Sequence, residues 1–457
     1  MVRGRGMRIF PLLLVVSVGI MLYTLSWERI SQRISFQFSW TVISGKTKQR
    51  GQDGSVVHYT TVFSDKKDNF TSPAVLNARN QPKTHLLTQL KTDKMVKRDS
   101  TTHAVGSLKE TPMPILFKKD FKKLPQWDFE DVYIQDAQPR QTTCPQPLQK
   151  SEDPSFMQAF IPNLYLFMHK DNLNMSEWNR LSHFNNPFGF MEYKYNEVKA
   201  AVDLIPKPKE PLLLPRGDGD GCVRCAVVGT GGILYGSGMG KEIDAHDYVF
   251  RMNGAVTKGY EEDVGNKTAV YVHTAHSITA SLYYFKKYGF TKIPHDEGIK
   301  YVMIPEGMRD FQWLQGLLSR QRVFSGPYYS LRPWTYYAGQ FDESRFYVLH
   351  PDFLRYVRNR FLKSSVLNDV NWSVVRPTNG AFTLFLALHT CDVVDAYGFM
   401  TEDYSKYPNY YMEKHAKTHV VFYLNHDYLM EMNTWKKLHN TKIIRLHQRK
   451  DPGDSER

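Results

Sequence analysis

Three short stretches of this 457-residue chain carry groups suited to holding an anion and moving a proton. The first is Gly229-Thr-Gly-Gly232, at the end of an apolar run that opens near Cys222. Without Cβ atoms, glycines let backbone N–H groups approach an anion, and a helix predicted near residues 239–243 would add partial positive charge. Leu234 stands where a dinucleotide fingerprint needs its third glycine, and no Gly-Lys-Ser/Thr closes the turn as a nucleoside-triphosphate loop requires. The second is Pro377-Thr-Asn-Gly380, where Thr378 and Asn379 can cap a helix and Gly380 offers an open N–H. It reads either as a plain helix start or as a second anion cradle facing the first. The third is His426 with Glu431 five residues on, at the head of an amphipathic run. Imidazole can accept a proton near neutral pH. Tyr423, Asn425 and Asp427 give it polar and aromatic company, although a lone histidine at a helix start is also commonly a cap.

Asp218-Gly-Asp220 has the form of an Asp-x-Asp metal motif, yet it precedes the first apolar strand and lies in a Pro/Gly-rich stretch. It reads as a solvated loop, and no metal is expected. The cysteines are Cys144, Cys222, Cys225 and Cys391. Cys222-Val-Arg-Cys225 opens a strand, whereas a redox pair opens a helix, and no second Cys pair or His pair completes a zinc site. Disulfides are expected, with three pairings open. A Cys225–Cys391 bond would tie the two glycine segments together and leave Cys144 to Cys222.

These residues must be positioned by the elements around them. Residues 222–229, 248–252, 269–273, 300–304, 345–349 and 392–397 have the short apolar and β-branched character of strands. Residues 278–287, 310–320, 352–361, 378–390 and 428–438 have helical spacing. The alternation predicts an α/β fold around a mostly parallel sheet, with ligands outside the carboxyl ends of the strands.

The amino-terminal third reads differently. Residues 9–27 are almost wholly apolar behind Arg3, Arg5 and Arg8. As a helix the run is roughly 28 Å long, enough to cross a bilayer core with its basic flank in the cytosol. No small-residue cleavage site follows, so a retained anchor is expected, short enough for early secretory membranes. Residues 28–124 are polar and basic without a sustained period, as in a flexible stem. Residues 1–124 carry 21 Lys/Arg against 8 Asp/Glu, while residues 125–457 carry 38 of each. The folded part therefore has no net field for a polyanion, which excludes a nucleic-acid binder. The sequons at Asn69, Asn174, Asn266 and Asn371 accord with a lumenal, glycosylated protein. The expected order is cytosolic tail 1–8, signal anchor 9–27, stem 28–124 and one lumenal domain 125–457.

Over residues 125–450 the chain resembles the animal sialyltransferases. Residues 225–277, including Phe250-Arg-Met-Asn253, look like that family's large motif, and residues 376–399 look like its small motif. His426 and Glu431 match its His-x4-Glu motif. Trp127-Asp-Phe-Glu130, Gln141-Thr-Thr-Cys-Pro145, Asn185-Asn-Pro-Phe-Gly-Phe-Met-Glu192 and His350-Pro-Asp-Phe-Leu-Arg355 resemble the branch that forms the α2,6 bond to N-acetylgalactosamine O-linked to Ser or Thr.

The resemblance implies a single Rossmann-like domain, a variant of the GT-A architecture, in a type II Golgi membrane protein. It implies CMP-sialic acid as donor substrate, O-glycosylated glycoproteins as acceptors, and no cofactor or metal. Gly229, Thr230, Gly231, Gly232 and Asn253 would hold the nucleotide. Thr378, Asn379 and Gly380 would face the donor's phosphate and carboxylate, with Tyr410 also on the donor. His426 would be the general base, supported by Glu431. Three positions depart from the family pattern. Thr230 stands for the usual Asn, Asn379 for a second Ser/Thr, and Asn409-Tyr-Tyr-Met412 for a His-Tyr-Tyr-acid run, with His415 and His419 nearby. These departures also suit a non-catalytic lumenal carbohydrate-binding protein of the same fold, the alternative that release of CMP would distinguish.

Overall fold

The computed structural model describes residues 110–136, 140–216, 219–413 and 418–449, together with the backbone of Lys48–Arg50 and Val56–Thr60. Its centre is a sheet of β1 (Arg224–Val228), β2 (Tyr248–Met252), β3 (Val270–His273), β4 (Lys300–Met303), β5 (Phe346–Val348), β6 (Val393–Tyr397) and β7 (Arg445–Leu446). All neighbours are parallel, in the order β7-β6-β1-β2-β3-β4-β5. The inner strands are apolar on both faces, as a doubly covered parallel sheet demands. In β1, Val227 faces one core with Phe250 and Val272, while Ala226 and Val228 face the other with Val249 and Tyr271.

Helices complete the layers. Among them are α1 (Tyr195–Val202), α2 (Ala275–Tyr284), α3 (Met308–Leu318), α4 (Asn379–Thr390) and α5 (Tyr428–Asn440). α4 crosses β1, β2 and β6 on one face through Phe382, Phe385 and Leu386. α3 covers the opposite face through Phe311, Trp313 and Leu314, with α1 packed on it. The chain steps outward from β1 to β5, then returns to place β6 on the other side of β1. This reversal opens a crevice at the carboxyl ends of β1 and β6, where ligands of open α/β sheets sit.

The expected strands and helices are present with small shifts of boundary. β7 is additional to them, because two residues carry no periodicity. Helix Pro351–Tyr356 continues as a wider π-helical turn, Val357–Phe361. Both disulfides form: Cys225–Cys391 ties the start of β1 to the end of α4, and Cys144–Cys222 fastens the preceding loop. Residues 110–124, counted with the stem on composition, lie along the domain. Met113 N–H donates to Asn179 Oδ1 at 2.7 Å, and Leu124 is buried beside Trp372. Among the described residues no helix is long and apolar enough to cross a membrane. The expected anchor, residues 9–27, lies outside them, as does Asn69.

Candidate functional site

The glycine turn after β1 uses its small residues for backbone packing. Gly229 N–H donates to Tyr397 O at 2.8 Å and Gly231 N–H to Gly398 O at 3.0 Å, so the turn extends the β1–β6 ladder. A Cβ on Gly231 would stand 2.6 Å from Gly398 O, and one on Gly232 would overlap Pro408 O. Two of the N–H groups expected to face an anion are therefore already paired. The helix expected near residues 239–243 is present as Gly240–Asp244, set off from the turn because Gly236 and Gly238 take positive φ and donate their N–H groups to Asp263. Tyr410 lies against the same turn: it bridges Gly231, and Tyr411 N–H donates to Thr230 O at 3.2 Å.

On the neighbouring strand, Asn253 follows β2 with φ of 53°, a left-handed conformation that asparagine tolerates better than most residues. The Tyr271 hydroxyl holds its carbonyl at 2.7 Å. Its Oδ1 accepts from Asn379 Nδ2 at 2.9 Å, which joins the large-motif and small-motif segments directly.

Thr378 caps α4, its Oγ1 accepting from Ala381 N–H at 3.0 Å. The buried carboxylate of Glu431 grips Thr378 twice. Oε1 accepts from the backbone N–H and Oε2 from the hydroxyl, both at 2.7 Å. Burial pushes the Glu431 carboxyl up to about 7 against the pull of those two bonds. Glu431 thus acts on the cap of α4. Asp427, the cap of α5, is held in turn by the Ser364 hydroxyl at 2.7 Å.

His426 sits just before α5, half-buried, with the Tyr428 ring 5.7 Å away. Its Nδ1 lies 2.8 Å from the Arg376 carbonyl and its Nε2 lies 3.1 Å from Asn425 Nδ2. A carbonyl can only accept, so Nδ1 carries the proton and Nε2 presents a lone pair. Burial lowers the imidazole to about 4, the Arg376 charge adding in the same direction. The ring is therefore neutral near neutral pH, with Nε2 unprotonated.

Behind this ring lies a cluster that sequence reasoning missed. Glu306 Oε1 accepts from Arg376 Nε at 2.7 Å, and Oε2 accepts from Arg309 Nη2 at 2.9 Å. Burial alone would raise the Glu306 carboxyl, but Arg376 and Arg309 outweigh it and hold it at about 2. His276, at the head of α2, shares the field of these three groups and is lowered to about 4 chiefly by burial. No motif marks Glu306 or Arg309. Only the position of Pro305-Glu-Gly just past β4, at the carboxyl edge of the sheet, could have drawn attention to them.

The remaining candidates separate from this group. Asn409 N–H donates to Thr418 Oγ1 at 3.1 Å, His419 is exposed, and His415 lies outside the described residues. Asp220 accepts from Arg224 Nη1 and Nη2 at 2.8 and 2.6 Å, as a solvated loop acid would; Asp218 is not among the described residues. Among the described residues no group of three or more His, Cys, Asp or Glu is placed to hold a metal. A cavity of about 230 Å³ lined by Arg140, Gln149, Phe160 and His389 lies at the far end of α4 and contains none of the candidate residues.

Comparison with known proteins places this geometry in context. The family model described as glycosyltransferase family 29 (sialyltransferase) matches residues 167–443. A Gallus gallus protein named alpha-N-acetylgalactosaminide alpha-2,6-sialyltransferase 1 is 46% identical over 337 residues, covering 72% of this chain and 59% of its own length. The Homo sapiens protein of that name is 45% identical over 342 residues, covering 73% and 57%. The chain thus spans somewhat under three-fifths of the length of these two relatives. A crystal structure of a mammalian sialyltransferase aligns with a TM-score of 0.50 at 24% identity, over 68% of this chain and all of the other, and shares the fold.

Proposed function

The chain belongs to glycosyltransferase family 29, the sialyltransferases, and on that premise we propose that it moves sialic acid from CMP-sialic acid to the 6-hydroxyl of N-acetylgalactosamine O-linked to Ser or Thr. The observation that carries the reading is the His426 ring. Its Nδ1 proton is fixed on a main-chain carbonyl, and its Nε2 lone pair, which here accepts from Asn425 Nδ2, would take the acceptor's proton once that amide gives way, beside the capped start of α4. The acceptor's 6-oxygen attacks the anomeric carbon of the sialyl group as its proton passes to Nε2. The bond from that carbon to the phosphate oxygen breaks, and CMP leaves from the opposite face. Configuration inverts, and the sialyl carboxylate offsets the positive charge that develops on the sugar ring. A positioned base contributes about 10²–10⁴-fold.

CMP is a monophosphate leaving group, so its charge can be met by backbone N–H groups, a helix start and a few side chains, without a divalent ion. The start of α4 (Thr378, Asn379, Gly380), Thr230 of the turn at residues 229–232, Asn253 and Tyr410 are the groups we assign to the donor. With its negative charge nearby, the imidazole would become more basic. The domain is read as a GT-A variant carried behind a signal anchor at residues 9–27 and a stem, with its catalytic part in the Golgi lumen. Asn174 and Asn266 are exposed, so glycans removable from either would report lumenal placement.

The test is transfer to a peptide bearing a single N-acetylgalactosamine, with linkage analysis of the product. His426→Gln should lose about 10²-fold or more in kcat while still binding CMP. Normal turnover in that variant removes His426 as the base. Absence of CMP release in the unaltered protein favours the carbohydrate-binding alternative.

A further inference from the structure

We propose that Glu306 is a positioning residue for this reaction: by clamping the Arg376 side chain it fixes the carbonyl that keeps the His426 proton on Nδ1. The proposal rests on the reading of His426 as base and adds a residue from outside the large, small and His-x4-Glu motifs.

The geometry runs through one amino acid. The main chain of Arg376 pairs with the histidine segment on both sides: its N–H donates to Asn425 O at 3.0 Å, and its carbonyl accepts from His426 Nδ1 at 2.8 Å. The position of that carbonyl therefore decides where the ring sits and which nitrogen carries the lone pair. Pro377 follows and restricts the backbone conformation open to Arg376. The Arg376 side chain leaves the segment and reaches the loop after β4, where Glu306 takes its Nε at 2.7 Å. Glu306 cannot drift, since its other oxygen is held by Arg309 in the first turn of α3 at 2.9 Å and its side chain is 6% exposed. A carboxylate anchored on one face of the sheet thus braces the residue that aims the base from the other. Two guanidiniums meet one carboxylate here. Without Glu306 the Arg376 cation would lose its counter-charge beside the ring, and would be able to turn and to pull its own carbonyl with it.

Other groups near the ring do not supply this brace. Tyr428 contacts the ring edge-on at 5.7 Å, and Asn425 reaches the unprotonated nitrogen. Glu431 is engaged with Thr378.

The experiment compares the full-length protein with Glu306→Gln and Glu306→Asp, and reads two quantities. The first is steady-state transfer from CMP-sialic acid to the glycopeptide. Glu306→Gln should lower kcat about tenfold or more, part of what a positioned base supplies, with donor KM changed less than about threefold. Glu306→Asp should recover part of the loss. The second is the ¹⁵N spectrum of labelled histidine, with the His426 signals assigned by their disappearance in His426→Gln. The unaltered protein should show a single Nδ1-protonated ring, and Glu306→Gln should show averaged tautomers. Wild-type kcat together with an unchanged ring spectrum in Glu306→Gln overturns the proposal. If the unaltered protein transfers no sialic acid, the base reading fails, and the ring spectrum still decides whether Glu306 holds the imidazole.

Discussion

Replacing Glu431 by Gln should change how the stability of the domain depends on pH, and the size of the change follows from the site. Glu431 is 5% exposed, and both its oxygens are engaged by Thr378. In the unfolded chain its carboxyl titrates at 4.5, whereas in the fold burial raises it to about 7. The folded state therefore holds a proton that the unfolded state has lost between those values. Stability from this group is complete below pH 4.5 and falls as pH rises through 7. The difference amounts to about 3 kcal/mol at the alkaline limit, of which about 2.5 kcal/mol lies between about pH 5 and pH 8. Gln has the shape of the protonated acid and cannot ionise. Glu431→Gln should match the unaltered protein near about pH 4.5 and exceed it by about 2 to 3 kcal/mol at about pH 8. Urea unfolding followed by tryptophan fluorescence, with disulfides intact, measures both. Asp310, also pushed up to about 7 by burial, adds a slope of the same sign to both proteins and drops out of the comparison. Parallel pH profiles for the two proteins would refute the argument that this carboxylate is held against its preference for water.

Gly232→Ala should destabilise by about 1–3 kcal/mol, because the new methyl meets the backbone of Pro408, which can yield only by moving the chain; a fall in Tm measures it. Cys391→Ser should cost about 5 kcal/mol in the chain-entropy model, since the bond it removes spans 166 residues. Urea unfolding of that variant should show the lower midpoint. Transfer should persist in excess EDTA, and complete loss restored by a divalent ion would bring Asp220 back as a ligand.

Much of the fold was legible because β1 to β4 and β6 are short apolar runs and α4 is apolar at helical spacing. The candidate site was legible as segments, since His426, Thr378 and the turn at residues 229–232 stand out by type. Their working relations were not. A glycine that frees an N–H for a ligand looks the same in sequence as one that admits a second backbone, and here Gly229, Gly231 and Gly232 do the latter. The tie between Glu431 and Thr378 spans 53 residues, and that between Glu306 and Arg376 spans 70, so no local pattern reports either. Asn253 drew notice only through the family's large motif, and its hydrogen bond with Asn379 appears only once the sheet brings the end of β2 to the start of α4.

The hold of Glu431 on Thr378, and of the Arg376 carbonyl on His426, sets the order in which a working molecule can arise during synthesis. The central strands and α4 emerge first, yet the head of α4 stays unbraced, and the Arg376 carbonyl without the His426 ring, until residues 426–431 have left the ribosome. A nascent chain released short of residue 431 would present much of the sheet, with Thr378 still unheld. The start of α4 is thus completed by chain that follows it by some fifty residues, so its geometry is settled late, as α5 docks.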